Sequence, residues 1–113
     1  MVDFRVDDGF PHHPKTLGMR PEVVGVWTLI GCWCARYLTD GYIPDDALRD
    51  ITTKQLIITD LANRNLIARV ADGWQMVDWM QYQRSKADVD NERERWRIRQ
   101  QRARRKRDNP DPG

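Results

Sequence analysis

Residues 95–107 carry eight Lys and Arg and no Asp or Glu, so this stretch cannot enter a core. The fold has to be built by the chain before it. The imbalance is hidden in a net charge of +2: residues 1–94 sum to −4 and residues 95–113 to +6. Such a split predicts a basic arm on a mildly acidic body, with the arm supplying most of any attraction to a polyanion. At 113 residues there is room for one small domain and an appendage. Three classes drop out. No apolar run approaches the roughly 18 residues of a membrane helix. The first ten residues hold four charges and no apolar signal-peptide segment. Cys32 and Cys34 are too few and too close for a disulfide framework, which predicts a reducing, cytoplasmic setting.

Residues 1–20 are turn-rich (Asp8-Gly9, Pro11, Pro14, Gly18), with Phe4 and Val6 alternating with charges as one short strand would. Pro21 suits the first position of a helix, and the apolar residues from Val23 to Leu38 make that helix the central one of the core. Asp40-Gly41 is its expected cap. Pro44 opens a second helix through about Ile51, with Asp45 and Asp46 favourable in its first turn. Thr52 or Thr53 is the natural N-cap of a third, running to about Asn65. The short link between these two is the spacing of a helix-turn-helix. Residues 66–70 and 74–77 are β-prone runs joined by Ala71-Asp72-Gly73, a hairpin signal in which Gly73 would take the positive φ.

The predicted fold is therefore mainly α with a small β-hairpin wing, a winged helix-turn-helix over residues 1–83. A charged, basic C-terminal helical arm follows over 84–108, and a disordered end over 109–113. Ser85 and Asp88 resemble a capping box at the start of the arm. Acids early and bases late in that helix suit its dipole. Val89, Trp96 and Ala103, seven apart, form only a thin apolar seam, so the distal half is expected to fray when free.

On the third helix, Ile57, Ile58 and Leu61 fall on the core side and Gln55, Thr59 and Asn63 form a stripe opposite. Amide side chains suit base reading in a major groove, and Thr53 and Lys54 at the helix start suit phosphate. A plain solvated face uses the same residues, and Asp60 beside the stripe would repel phosphate. Arg69 is the one cation of the wing strands. In the arm, Arg95, Arg97, Arg99, Arg102, Arg104, Arg105, Lys106 and Arg107 can neutralise several phosphates, while Trp96 can lie on a base or sugar. A solubilising tail is the plainer reading of the same charges. His12-His13 and the two cysteines match no zinc spacing, so neither metal nor cofactor is expected. No phosphate loop or nucleophile motif points to an enzyme. Trp27, Trp33, Trp74 and Trp79 are expected in the core.

The opening Phe4-Arg-Val-Asp-Asp-Gly9 and His13-Pro-Lys15 resemble the N-terminus of small phage and prophage helix-turn-helix proteins. Asp72-Gly-Trp74, Asp78-Trp79, Tyr82-Gln83 and the Arg-rich helix resemble their C-terminal half. The arrangement is also similar to the N-terminal winged-helix domain of DnaD-like phage replisome organisers, across residues 3–105. This resemblance implies a winged helix, a phage or prophage origin, and a role with DNA in replication initiation or gene control. It also implies that the third helix and wing face double-stranded DNA, and that the domain can self-associate into a homodimer. The departure is the acidic body, where a DNA-reading winged helix usually presents a basic face. The expectation is a DNA-binding protein, with affinity from the arm and register from the winged helix. The alternatives are an interaction module docking on a host or phage replication protein, and RNA binding through the arginine-rich arm. No membrane partner is expected.

Overall fold

A computed structural model describes residues 3–108, so the expected disordered end at 109–113 lies outside the described residues. Helix α1 (Pro21–Tyr37) is the centre of the body and packs against α2 (Asp45–Ile51), α3 (Gln55–Asn63) and strand β1 (Tyr42–Pro44). Strands β2 (Ile67–Val70) and β3 (Gly73–Met76) complete a three-stranded antiparallel sheet in the order β1-β3-β2. A single turn of helix, α4 (Trp79–Tyr82), leads to α5 (Lys86–Asp108). The layout is mainly helical with a small sheet and a long C-terminal helix, compatible with a winged helix.

The core follows from spacing. Val23, Val26, Ile30 and Cys34 recur along one side of α1, and Ile57, Ile58 and Leu61 face them from α3. Ile43, Ile67 and Met76 close the sheet side. The Trp27 side of α1 is covered by the N-terminal segment, where Phe4 and Phe10 lie against Trp27 at centroid distances of 5.0 and 4.7 Å, while Leu29 and Tyr37 of the same helix stay exposed. Trp79 is buried, while Trp27, Trp33 and Trp74 pack half-buried on the core.

Several expectations shift. The strand at Phe4 and Val6 does not form. Instead the Gln83 side-chain amide mimics a strand partner, accepting from the Arg5 N–H at 2.8 Å and donating to its carbonyl at 2.6 Å. Helix α1 ends before Asp40-Gly41, because Leu38 already adopts a left-handed conformation at φ 55°. Strand β1 was hidden in residues 42–44, too short and Pro-terminated to show periodicity; it is defined only by pairing with β3. That pairing takes up Pro44, so α2 starts one residue later than expected. Helix α3 starts at Gln55 with Lys54, rather than Thr52 or Thr53, at its N-cap, since the Thr52 hydroxyl accepts the Lys54 N–H across a local turn instead of capping a helix. Asn65, at φ 59°, closes α3.

The hairpin forms as expected, but Asp72 takes the positive φ of its two-residue turn. Gly73 is needed for a different reason: a Cβ there would collide with the Ile43 carbonyl oxygen of the neighbouring strand.

The path into the arm breaks at Gln83–Ser85, giving two helical segments rather than one. Ser85 and Asp88 form the reciprocal capping box, with Asp88 N–H donating to Ser85 Oγ at 3.0 Å and Ser85 N–H to Asp88 Oδ2 at 3.4 Å. Contrary to the fraying expected of its distal half, α5 runs to Asp108. Arg, Gln, Lys, Glu and Ala dominate the segment, and their high helix propensity together with the acid-to-base polarity compensates for the missing apolar face.

Candidate nucleic-acid interface

Among the described residues, helix α5 is tied down only at its first turns. Val89 is buried, Arg84 pairs with Glu92, and the Lys86 N–H donates to Asp40 Oδ1 at 2.6 Å. From Asp90 to Arg107 every residue is exposed. Twenty-three residues make a helix about 34 Å long. It accounts for much of the elongated 69 × 31 × 19 Å shape.

All eight predicted arm cations are exposed. At 100° per residue, Arg95, Arg99, Arg102 and Lys106 fall within a sector of about 60°, along about 16 Å of helix. Arg97 and Arg104 lie on the far side, with Arg105 and Arg107 between. Among the described side chains only Arg97 of the eight has a carboxylate partner, Glu94 at 2.9 Å. Trp96 is 58% exposed beside the stripe, and Ile98 is exposed on the other flank. The stripe was legible in the sequence by helical projection once the segment is known to be one continuous helix.

The α3 and hairpin residues present a different surface. Gln55, Thr59 and Asn63 are exposed together, as the periodicity required, and Thr53 and Lys54 are exposed at the helix start. Leu56, 81% exposed, stands at the same face. The cations there are neutralised. Lys54 is held by Glu22 at the start of α1, and its ammonium pulls the Glu22 carboxyl below the ordinary carboxylate range. Arg69 meets Asp45 through a two-pronged contact at 2.5 and 3.0 Å and lies 5.4 Å over the Trp74 ring. That fork lowers the Asp45 pKa and raises that of Arg69. Arg49 and Arg64 pair with Asp46 and Asp60 at 3.0 and 2.9 Å.

The tip of the β2–β3 hairpin is tethered as well, since the Asp45 N–H donates to the Asp72 carbonyl at 3.0 Å and the Tyr42 hydroxyl to the Ala71 carbonyl at 3.3 Å. Sequence reasoning missed Glu22 and Asp45 as partners, because each lies more than twenty residues from its cation.

The structure thus brings Thr53, Lys54, Gln55, Thr59 and Asn63 onto one surface and ties the exposed Arg69 to Asp45. It separates all of them from the arm cations, which project on α5. His13 serves its turn, accepting the Lys15 N–H at 3.1 Å through Nδ1. Cys32 is exposed and Cys34 buried, on different sides of α1 as their spacing required. Burial pushes the Cys34 thiol up to about 11. Among the described residues no helix is long and apolar enough to cross a membrane. Comparison of the chain with protein families, with curated proteins and with solved structures finds no match.

Proposed function

We propose that this chain is a binding protein rather than an enzyme, and that it binds double-stranded DNA through α5. The supporting observation is the exposed cationic stripe of Arg95, Arg99, Arg102 and Lys106 on a helix that leaves the body after its first turns. Such a helix releases counterions from a duplex and binds without regard to sequence. On this reading the body is a winged helix-turn-helix, and phage-type replication initiation or gene regulation is the setting that the family resemblance suggests. The Gln55, Thr59 and Asn63 stripe adds register or base contact only after the arm has brought it to the duplex, because Lys54 and Arg69 are already engaged by acids.

Fluorescence anisotropy on a mixed-sequence duplex tests this, comparing the full chain with residues 1–94 across a salt series. The full chain binds with a steep salt slope and the truncation does not. Equal binding by both would overturn the assignment of α5. Tighter binding to RNA of the same length would replace DNA with RNA as the ligand.

A second reading rests on Leu56. An aliphatic side chain exposed amid neutralised cations suits contact with protein better than contact with phosphate. A second copy of the chain is the partner proposed, and loss of a dimer in sedimentation on Leu56→Glu is its test.

A further inference from the structure

Once α5 holds a duplex, what the body can read depends on which groups of α3 are still unengaged. The four cations of residues 45–76 all have acid partners. Lys54 pairs with Glu22, Arg49 with Asp46 and Arg69 with Asp45. Arg64 pairs with Asp60 at 2.9 Å and also donates to the carbonyls of Lys15 and Leu17 at 3.3 and 3.0 Å. A specific guanine contact uses Arg or Lys forked onto O6 and N7. Freeing any of these four for it would leave a carboxylate facing the phosphates. Cytosine offers an N4 amino donor, which a carboxylate accepts. Asp60 is the one carboxylate of α3, and Arg64 holds it.

What remains on the exposed side of α3 is two amides, a hydroxyl and an aliphatic group. Gln55, Leu56, Thr59 and Asn63 are exposed together, within about 100° of the helix. An amide donates and accepts at once, which matches the N7 acceptor and N6 donor that adenine sets side by side. Leu56 is 81% exposed and has no polar side-chain atom. The C5-methyl of thymine is the apolar counterpart for it in the major groove. An A·T pair presents both features. Gln55 and Asn63 stand about 12 Å apart along α3, so they meet different base pairs.

We infer that the exposed face of α3 reads A·T pairs in the major groove, with Gln55 and Asn63 bonding adenine and Leu56 packing on a thymine methyl. This selectivity rests on the binding of double-stranded DNA through α5 proposed above: α5 supplies affinity and α3 the choice of sequence. Thr59, between the amides, bonds either kind of pair.

Scrambled duplexes of equal length, built from A·T, A·U, G·C or I·C pairs, test this on the full chain by fluorescence anisotropy across a salt series. Inosine lacks the 2-amino group of guanine, so I·C keeps the major-groove edge of G·C and takes the minor-groove edge of A·T. The A·T duplex binds about tenfold tighter than both G·C and I·C, within the worth of one amide–adenine pair. Uracil in place of thymine removes only the methyl and weakens binding about three- to fourfold, the worth of one buried methyl. Gln55→Ala with Asn63→Ala abolishes the preference for A·T over I·C, and Leu56→Ala abolishes the difference between thymine and uracil. Affinity for G·C is unchanged in both variants, and alanine, the best helix former, preserves α3. Steeply salt-dependent binding that is equal on all the duplexes leaves α5 as the anchor and overturns A·T reading by α3. I·C bound as tightly as A·T places the preference in the minor groove and overturns it too. A DNA-bound dimer that Leu56→Glu dissociates puts a second copy on Leu56 and overturns the thymine contact. If the full chain binds none of the duplexes, the DNA reading itself fails, and base reading by α3 falls with it.

Discussion

If α5 meets phosphate with one face, then which cations are removed matters more than how many. Two quadruple variants separate these cases at equal net charge. The first removes the stripe through Arg95→Gln, Arg99→Gln, Arg102→Gln and Lys106→Gln. The second removes the remaining cations through Arg97→Gln, Arg104→Gln, Arg105→Gln and Arg107→Gln. Glutamine stands near arginine and lysine in helix propensity, so α5 persists in both, and circular dichroism verifies it. Each phosphate neutralised contributes about 0.9 to the slope of log affinity against log salt. Losing four contacts therefore flattens the slope by about 3.6. Over a fourfold change in salt, from about 0.05 to 0.2 M, that slope is worth a factor of about 10² in affinity. Anisotropy on a mixed-sequence duplex reads the slope directly. The stripe variant is expected to lose about 3.6 and its counterpart about 1 or less, since all four of the counterpart's cations lie off the stripe and Arg97 is also held by Glu94. Equal losses would mean that cation number rather than helix face sets binding, which would refute the single-face argument. No loss in either would move the contact off α5.

Other expectations follow from the body. Glu22 and Asp45 have lowered pKa values through Lys54 and Arg69, so their ion pairs contribute above the unfolded carboxylate pKa of about 4 and are lost as pH falls through the lower folded values. The double variant Glu22→Gln, Asp45→Asn should accordingly show a shallower fall of stability below about pH 4 in denaturant titrations at stepped pH. Because Cys34 is buried with its thiol raised to about 11, iodoacetamide should modify Cys32 in the folded chain and reach Cys34 only on unfolding, as peptide mass mapping would show. Two glycines of α1 should respond oppositely to alanine. At Gly25 a Cβ meets open space, and the helix gains about 0.5–1 kcal/mol. At Gly31 a Cβ collides with the Phe4 ring, and an overpacking cost of about 1–3 kcal/mol exceeds that gain. Thermal unfolding of the pair distinguishes them, a rise for the first and a fall for the second.

Local chemistry alone determined much of this protein. Pro21 began α1, the spacing of Val23, Val26, Ile30 and Cys34 selected its buried side, and Ile57, Ile58 and Leu61 selected that of α3. Asp72-Gly73 made the hairpin, Ser85 with Asp88 capped α5, and the density of arginine after Glu94 left the arm in solvent. Each is a signal carried within four residues or within one helical period, the range over which backbone conformation and side-chain facing are set. Tertiary structure decided what depends on partners far apart in the chain. Strand β1 exists because β3 pairs with it, and Gly73 is required by the Ile43 carbonyl rather than by the turn. Gln83 holds the Arg5 peptide across 78 residues, in place of a strand that residues 4–6 were expected to form. Glu22 and Asp45 pair with Lys54 and Arg69, and the hairpin tip is tied to α2. An ion pair depends on separation in space, and that separation is fixed only after α1, α3 and the sheet have packed.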